Sequence, residues 1–124
     1  MRVFKTKWFE RFARRERIAD EALREAVARA ERGLIDADLG GGVIKQRVAR
    51  PGEGRRGGYR SIVLFQVGAR AVFAYGFAKS ARSNLRPDEL EAFRLLAGEF
   101  ERYDEAAIDR AMAVGELSEV TDDG

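Results

Sequence analysis

The sequence predicts an α+β fold: a small antiparallel sheet of about four strands, packed by an N-terminal helical hairpin and followed by C-terminal helices. Three observations predict it. Apolar residues recur at helical spacing before Gly33 and after Pro87, and at strand spacing between Val43 and Ala78. Glycine and proline mark each change of period. The elements run strand, two helices, three strands, helices, with no internal repeat or linker, so a single domain over residues 1–120 with a frayed tail at 121–124 is expected of this 124-residue chain.

Each element has its own signal. Val3 and Phe4 open a short edge strand. Thr6 is a helix cap, and Trp8, Phe9 and Phe12 fall on one helical stripe behind it, either core or partner-facing. Asp20 caps a second helix lined by Leu23, Ala26, Val27 and Ala30, and Gly33 stands at its left-handed stop. Gly40–Gly42 form a flexible break without the GK[ST] of a phosphate loop. Val43 to Ala49 reads as a strand, residues 51–58 as a loop rich in glycine and arginine, and Tyr59 to Val67 as a central strand. The turn at Gly68–Ala69 leads to a third strand, Ala71 to Ala78. Pro87 begins a helix with Asp88, Glu89 and Glu91 near its positive end and a stripe of Leu90, Phe93, Leu96, Ala97, Phe100 and Tyr103. Asp104 caps a last helix carrying Ala107, Ile108, Ala111 and Met112.

Composition narrows the chemistry. The chain has no cysteine and no histidine, which excludes disulfides, thiolate nucleophiles, cysteine–zinc sites and a histidine base. The first seven residues lack the apolar run of a signal peptide, and no stretch approaches the roughly 20 apolar residues of a membrane span, so a cytoplasmic protein is expected. The net charge of +2 hides a strong segregation. Residues 45–82 hold 9 basic and 1 acidic side chains, whereas residues 83–124 hold 4 basic and 12 acidic. A block so basic suits a polyanion, with nucleic acid the default partner; a solvated face balanced by the acidic segment is the competing reading.

Within that block, Lys45 and Arg47 project two residues apart from one strand face, and Arg60 begins the neighbouring strand. Lys79 and Arg82 follow the third strand, and Arg50, Arg55 and Arg56 border the glycine-rich loop. Arginine forks match phosphate oxygens, lysine adds a compact charge, and Tyr59 and Tyr75 offer rings for unpaired bases. Cations around an RNA phosphate stabilise the charge that develops when the adjacent 2′-hydroxyl attacks it. Clustered positive charge disfavours a protonated lysine, which suits such a lysine to act as a general base, and Lys45 is the candidate. Arg47 and Arg60 would hold the phosphate. The module has no acidic cluster for a two-metal mechanism, so no metal or other cofactor is expected. Each residue also has a structural reading: Lys45 and Arg47 as the wet face of a half-exposed strand, Arg60 as a buried arginine paired with a carboxylate, Tyr75 as core.

Several stretches resemble the RelE/ParE toxin superfamily, in particular its phage-type RelE/HigB-like branch. They are Phe4–Phe9, Gly33–Arg47, Gly57-Gly58-Tyr59-Arg60 and Tyr75–Ser80, with Asp88–Leu90 and Gly115–Leu117 as weaker support. The resemblance implies a type II toxin–antitoxin toxin from a bacterium. It implies a ribosome-dependent mRNA endonuclease that inhibits translation, with a helix-turn-helix, HigA-like antitoxin as partner. In RelE-type enzymes basic residues of a central strand and the arginine of a Gly-Tyr-Arg step serve the scissile phosphate, and Lys45, Arg47 and Arg60 stand in matching places. The family pattern often adds an arginine after the lysine that follows the last strand, and a late tyrosine or histidine. Here Ser80 follows Lys79, no late aromatic matches, and Arg82 is the nearest substitute. A ParE-like gyrase inhibitor and an inactive, antitoxin-binding relative are the alternatives.

Overall fold

The computed structural model describes residues 1–50 and 54–121, apart from the side chains of residues 50 and 54–57. The elements are β1 (Arg2–Thr6), α1 (Lys7–Glu16), α2 (Asp20–Glu31), β2 (Ala37–Gly40), β3 (Val43–Arg50), β4 (Gly54–Phe65), β5 (Arg70–Ala78), α3 (Pro87–Glu101), α4 (Glu105–Ala113) and β6 (Leu117–Glu119). The six strands form one sheet in the order β2-β3-β4-β5-β1-β6. All pairings are antiparallel except β1 with β5, which is parallel.

The expected α+β class is present, on a wider sheet. β1 is not an edge strand: it lies between β5 and β6, so Val3 and Phe4 are buried from both sides. The Gly40–Gly42 break is the turn of the β2–β3 hairpin, with positive φ at all three glycines. β4 begins at Gly54, opposite Arg50, so part of the expected loop is strand; residues 51–53 lie outside the described residues. The expected frayed tail is described only at Thr121. Among the described residues no helix is long and apolar enough to cross a membrane.

The caps follow from side-chain chemistry. Thr6 Oγ1 accepts from Phe9 N at 3.2 Å and starts α1. Asp104 Oδ1 accepts from Ala107 N at 2.8 Å and starts α4. Pro87 occupies the first turn of α3, where its missing N–H is harmless. The cap of α2 is Ala19 rather than Asp20. Asp20 is engaged elsewhere: its carboxylate accepts from Lys5 Nζ at 3.0 Å and Thr121 N at 3.2 Å, tying β1 to the end of the chain.

Both sheet faces are covered. On one, α1 and α2 bury Phe9, Phe12, Leu23, Ala26 and Val27 against Val3, Ile44, Val48, Val63 and Phe73. On the other, α3 and α4 bury Ala97, Phe100, Ile108 and Ala111 against Phe4, Val43, Ile62, Leu64 and Val72. Two arginines fix α3 over one end of that second face. Arg94 donates to the carbonyls of Leu39 and Gly40, and its chain lies over Gly41 so closely that a Cβ there would come within 2.8 Å. Arg70, buried on β5, donates to the carbonyls of Phe100 at 2.9 Å and Tyr103 at 2.7 Å, satisfying the end of α3 with a cation.

Gln46 sets the facing of β3. It is 1% exposed and lies on the α2 side between Ile44 and Val48. Its Oε1 accepts from Asp36 N, and its Nε2 donates to the carbonyls of Ala26 and Leu34, each at 3.0 Å. Gln46→Leu keeps the volume but strands one N–H and two carbonyls. It is expected to lower unfolding free energy by about 2–3 kcal/mol in denaturant titration, and an unchanged midpoint would contradict this role.

Candidate functional site

Period-two alternation sorts the residues of β3. Ile44, Gln46 and Val48 face α2, so Lys45 and Arg47 face the α3 side. On β4, Tyr59 and Val63 face α1 and α2, while Ile62 and Leu64 face α3, and Arg60 shares their parity. The register sets Arg47 opposite Arg60, and Arg60 opposite Phe77 on β5. The next row on the same face is Lys45, Ile62 and Tyr75. Directly opposed residues have Cβ atoms about 5 Å apart and diagonal ones roughly 7–8 Å, so the three cations can reach one small anion.

A β-bulge brings the aromatics to the same face. Ile62 pairs with Tyr75 and Val63 with Phe73, leaving Ala74 as the extra residue of β5. Phe73 packs on the α1 side, and the bulge turns Tyr75 and Phe77 over to the α3 side. Gly76 then faces α1, where an added Cβ would come within 2.5 Å of the Phe12 ring. α3 is anchored over the β2–β3 turn, at the opposite end of the face from the Arg47–Arg60 pair, where Arg47 is exposed and Arg60 and Phe77 are buried.

The cations sit in different environments. Arg47 is exposed; its backbone N–H donates to Asp36 Oδ2 at 2.6 Å. Lys45 is half-buried, and its Nζ donates to Asn84 Oδ1 at 3.2 Å. Arg60 is only 9% exposed, and its Nη1 is buried with no acceptor. Among the described residues no carboxylate forms an ion pair with it. The buried part of the structural reading of Arg60 therefore applies, and the carboxylate part does not. A buried guanidinium that lacks an acceptor is a costly feature that a bound anion would relieve.

Arg82 differs. Its Nη1 donates to Glu89 Oε2 at 3.1 Å and to Tyr75 Oη at 3.3 Å, and its guanidinium lies 5.6 Å from the Phe77 ring centre. Glu89 also accepts from Arg86 N at the start of α3. These bonds, Arg82 first, hold the Glu89 carboxyl down at about 2 and raise Arg82 above its ordinary value. Arg82 reaches the site with its charge largely balanced by Glu89. Lys79 is exposed just past β5.

Tyr59 is not part of this surface. It is 3% exposed on the opposite face, packs edge-on against Phe12, and its hydroxyl donates to Glu16 Oε1 at 2.6 Å. Being adjacent to Arg60 in an extended strand, it must point the other way. The side chains of Arg50, Arg55 and Arg56 lie outside the described residues.

A model of the family described as the RelE toxin of the RelE/RelB toxin–antitoxin system matches residues 1–120. The chain belongs to the RelE toxin family. Comparison with curated proteins and with solved structures gives no match. In this RelE-family chain, then, Lys45, Arg47, Arg60, Tyr75 and Arg82 share one sheet face, and Tyr59 does not. The sequence reading missed Gln46, Asn84, Phe77 and the Arg82–Glu89 pair. A polar Gln46 at an inward-facing strand position was the available signal for the first; the others depend on the bulge and on the 79–86 turn.

The unpaired guanidinium yields a stability prediction. Arg60→Met removes a buried, unsatisfied donor and the repulsion from Arg47 while keeping much of the apolar stem. The variant is expected to gain about 1–3 kcal/mol of unfolding free energy, measured by denaturant titration; a loss of stability would mean that Arg60 is a structural residue.

Proposed function

We propose that this toxin-family chain is a metal-independent endoribonuclease that cuts translated mRNA, and that Lys45, Arg47 and Arg60 carry the reaction. The supporting observation is the row of Arg47 opposite Arg60, with Lys45 on the same face and Arg60 Nη1 buried without an acceptor. An anionic phosphate supplies the missing acceptor and relieves the repulsion between the two arginines.

The chemistry follows from those groups. The 2′-hydroxyl of a nucleotide attacks its own 3′ phosphorus, its proton passes to a base, and the bond from phosphorus to the 5′ oxygen breaks. The 5′ oxygen takes a proton from solvent, leaving a 2′,3′-cyclic phosphate and a 5′-hydroxyl. Arg60 and Arg47 face the non-bridging oxygens, where negative charge accumulates. A guanidinium does not give up its proton, so of the three cations Lys45 is the one able to serve as base. Asn84, accepting from Lys45 Nζ, orients it. Arg82, which reaches Tyr75 Oη, would take the part of the family's additional arginine, and Lys79, Arg50, Arg55 and Arg56 would extend the phosphate contacts.

A RelE-family toxin acts within a toxin–antitoxin pair. We take the partner to be a helix-turn-helix, HigA-like antitoxin, the site of action to be the translating ribosome, and the compartment to be the cytoplasm. An acidic antitoxin segment would complement the basic face.

The test is inducible expression followed by primer extension on a translated reporter. Wild type is expected to arrest growth and cut the transcript. Arg60→Ala should lower cutting about 10²–10³-fold, Lys45→Ala and Arg47→Ala should also lower it, and Arg32→Ala, exposed at the C-terminal cap of α2, should leave it unchanged. Intact transcripts in arrested cells would contradict the reading, and DNA breaks in those cells would favour gyrase inhibition.

A further inference from the structure

α1 carries a second cationic surface that the sheet site does not use. Lys7, Arg11, Arg14, Arg15 and Arg17 are all exposed on or just past this ten-residue helix. Lys7, Arg11 and Arg14 follow the i, i+4, i+7 spacing of one helical face. Arg14 pairs with Glu10 at 2.6 Å and Arg15 with Glu16 at 3.4 Å. Among the described residues no carboxylate forms an ion pair with Lys7, Arg11 or Arg17.

Trp8 lies between this stripe and the sheet site. The sequence reads Trp8 as core or partner-facing, and it is 43% exposed, outside the core that takes Phe9 and Phe12. The reason is the end of β1 at Thr6. Beyond the Lys5–Phe73 pair, no strand among the described residues pairs with β5 on that side, and the first turn of α1 takes the place instead. Thr6 Oγ1 donates to Ala74 O, and the Trp8 ring wraps the free edge of β5 to meet Tyr75 at 4.5 Å between centres. Tyr75 contacts Phe77 at 6.0 Å, and Phe77 stands opposite Arg60. Phe77 is buried, so the accessible surface runs from Tyr75, half-buried at the sheet site, over the exposed Trp8 ring to the cations of α1.

We infer that α1 and Trp8 form a second contact surface for single-stranded RNA, in which an unpaired base packs on Trp8 and the flanking phosphates lie on Lys7 and Arg11. A ligand that alternates fixed negative charge with flat rings matches the exposed indole and the cations beside it, and single-stranded RNA alternates in that way at each nucleotide. An acidic peptide matches the cations but brings no flat rings to the indole. The inference rests on the RNA reading of the sheet face and assigns that RNA a path beyond the cleavage point.

Trp8 is the only tryptophan of the chain, so its fluorescence reports this contact directly. The probe is a short single-stranded 2′-O-methyl RNA, which lacks the attacking hydroxyl and stays intact. Saturable quenching is expected. Trp8→Leu, followed by competition, should weaken binding about 5- to 100-fold. The Lys7→Ala/Arg11→Ala pair, two exposed changes that leave the core untouched, should lower the slope of log affinity against log salt by roughly 1.4. Absence of quenching, or variants that bind as wild type does, would overturn the inference; so would polyglutamate that quenches and competes as well as RNA. Quenching without transcript cutting in cells would leave this surface standing and remove the nuclease reading, and cutting without quenching would do the reverse.

Discussion

The antiparallel pairing of β3 with β4 sets Arg47 opposite Arg60, and the candidate site depends on that register. A slip of one residue would turn Lys45 and Arg47 toward α2 and push Ile44 and Val48 out of the core. Gln46 opposes such a slip, because its amide finds three backbone partners on the α2 side and none of these would be available on the other. The position between the two cations is thus held by hydrogen bonding rather than by apolar burial. The bulge at Ala74 completes the arrangement by moving Tyr75 and Phe77 to the cation side.

The site works against stability. Like charges directly opposite on a sheet repel, and a buried guanidinium without an acceptor carries a desolvation cost. Elsewhere, buried arginines are satisfied: Arg29 by Glu25 and the carbonyl of Arg47, Arg70 by the end of α3. Arg60 stands apart from them. The acidic last third does not cancel the basic face, because α3 is fixed over the β2–β3 turn by Arg94 and meets the site mainly through Glu89. Charge segregation in the sequence survives as charge segregation in space.

Much of this was legible from the residues. Two-residue spacing put Lys45 and Arg47 on one face, and the caps Thr6 and Asp104 and the helix-starting Pro87 followed from local chemistry. The same alternation, applied strictly, would have separated Tyr59 from Arg60. β2 and β6 were not visible because strands of four and three residues have no periodicity to read. The interior place of β1 was hidden for another reason: its partners β5 and β6 are remote in sequence, and no local signal names them. Trp8 reads equally as core or partner-facing from the residues, because a helical stripe shows which residues share a face but not where the neighbouring strand stops. Asp20 was read as a cap because its type fits one, whereas Lys5 and the backbone of Thr121 claim its carboxylate.

The central claim is that cations from two strands converge on one phosphodiester. Side-chain NMR of protein made with isotope-labelled arginine, titrated with an RNA dinucleotide carrying a 2′-deoxy block at the cleavage position, tests it at the atoms concerned. Arg47 and Arg60 guanidinium signals that move together and saturate at one equivalent would agree with the account. Signals of these two that stay fixed while other arginines respond would contradict it.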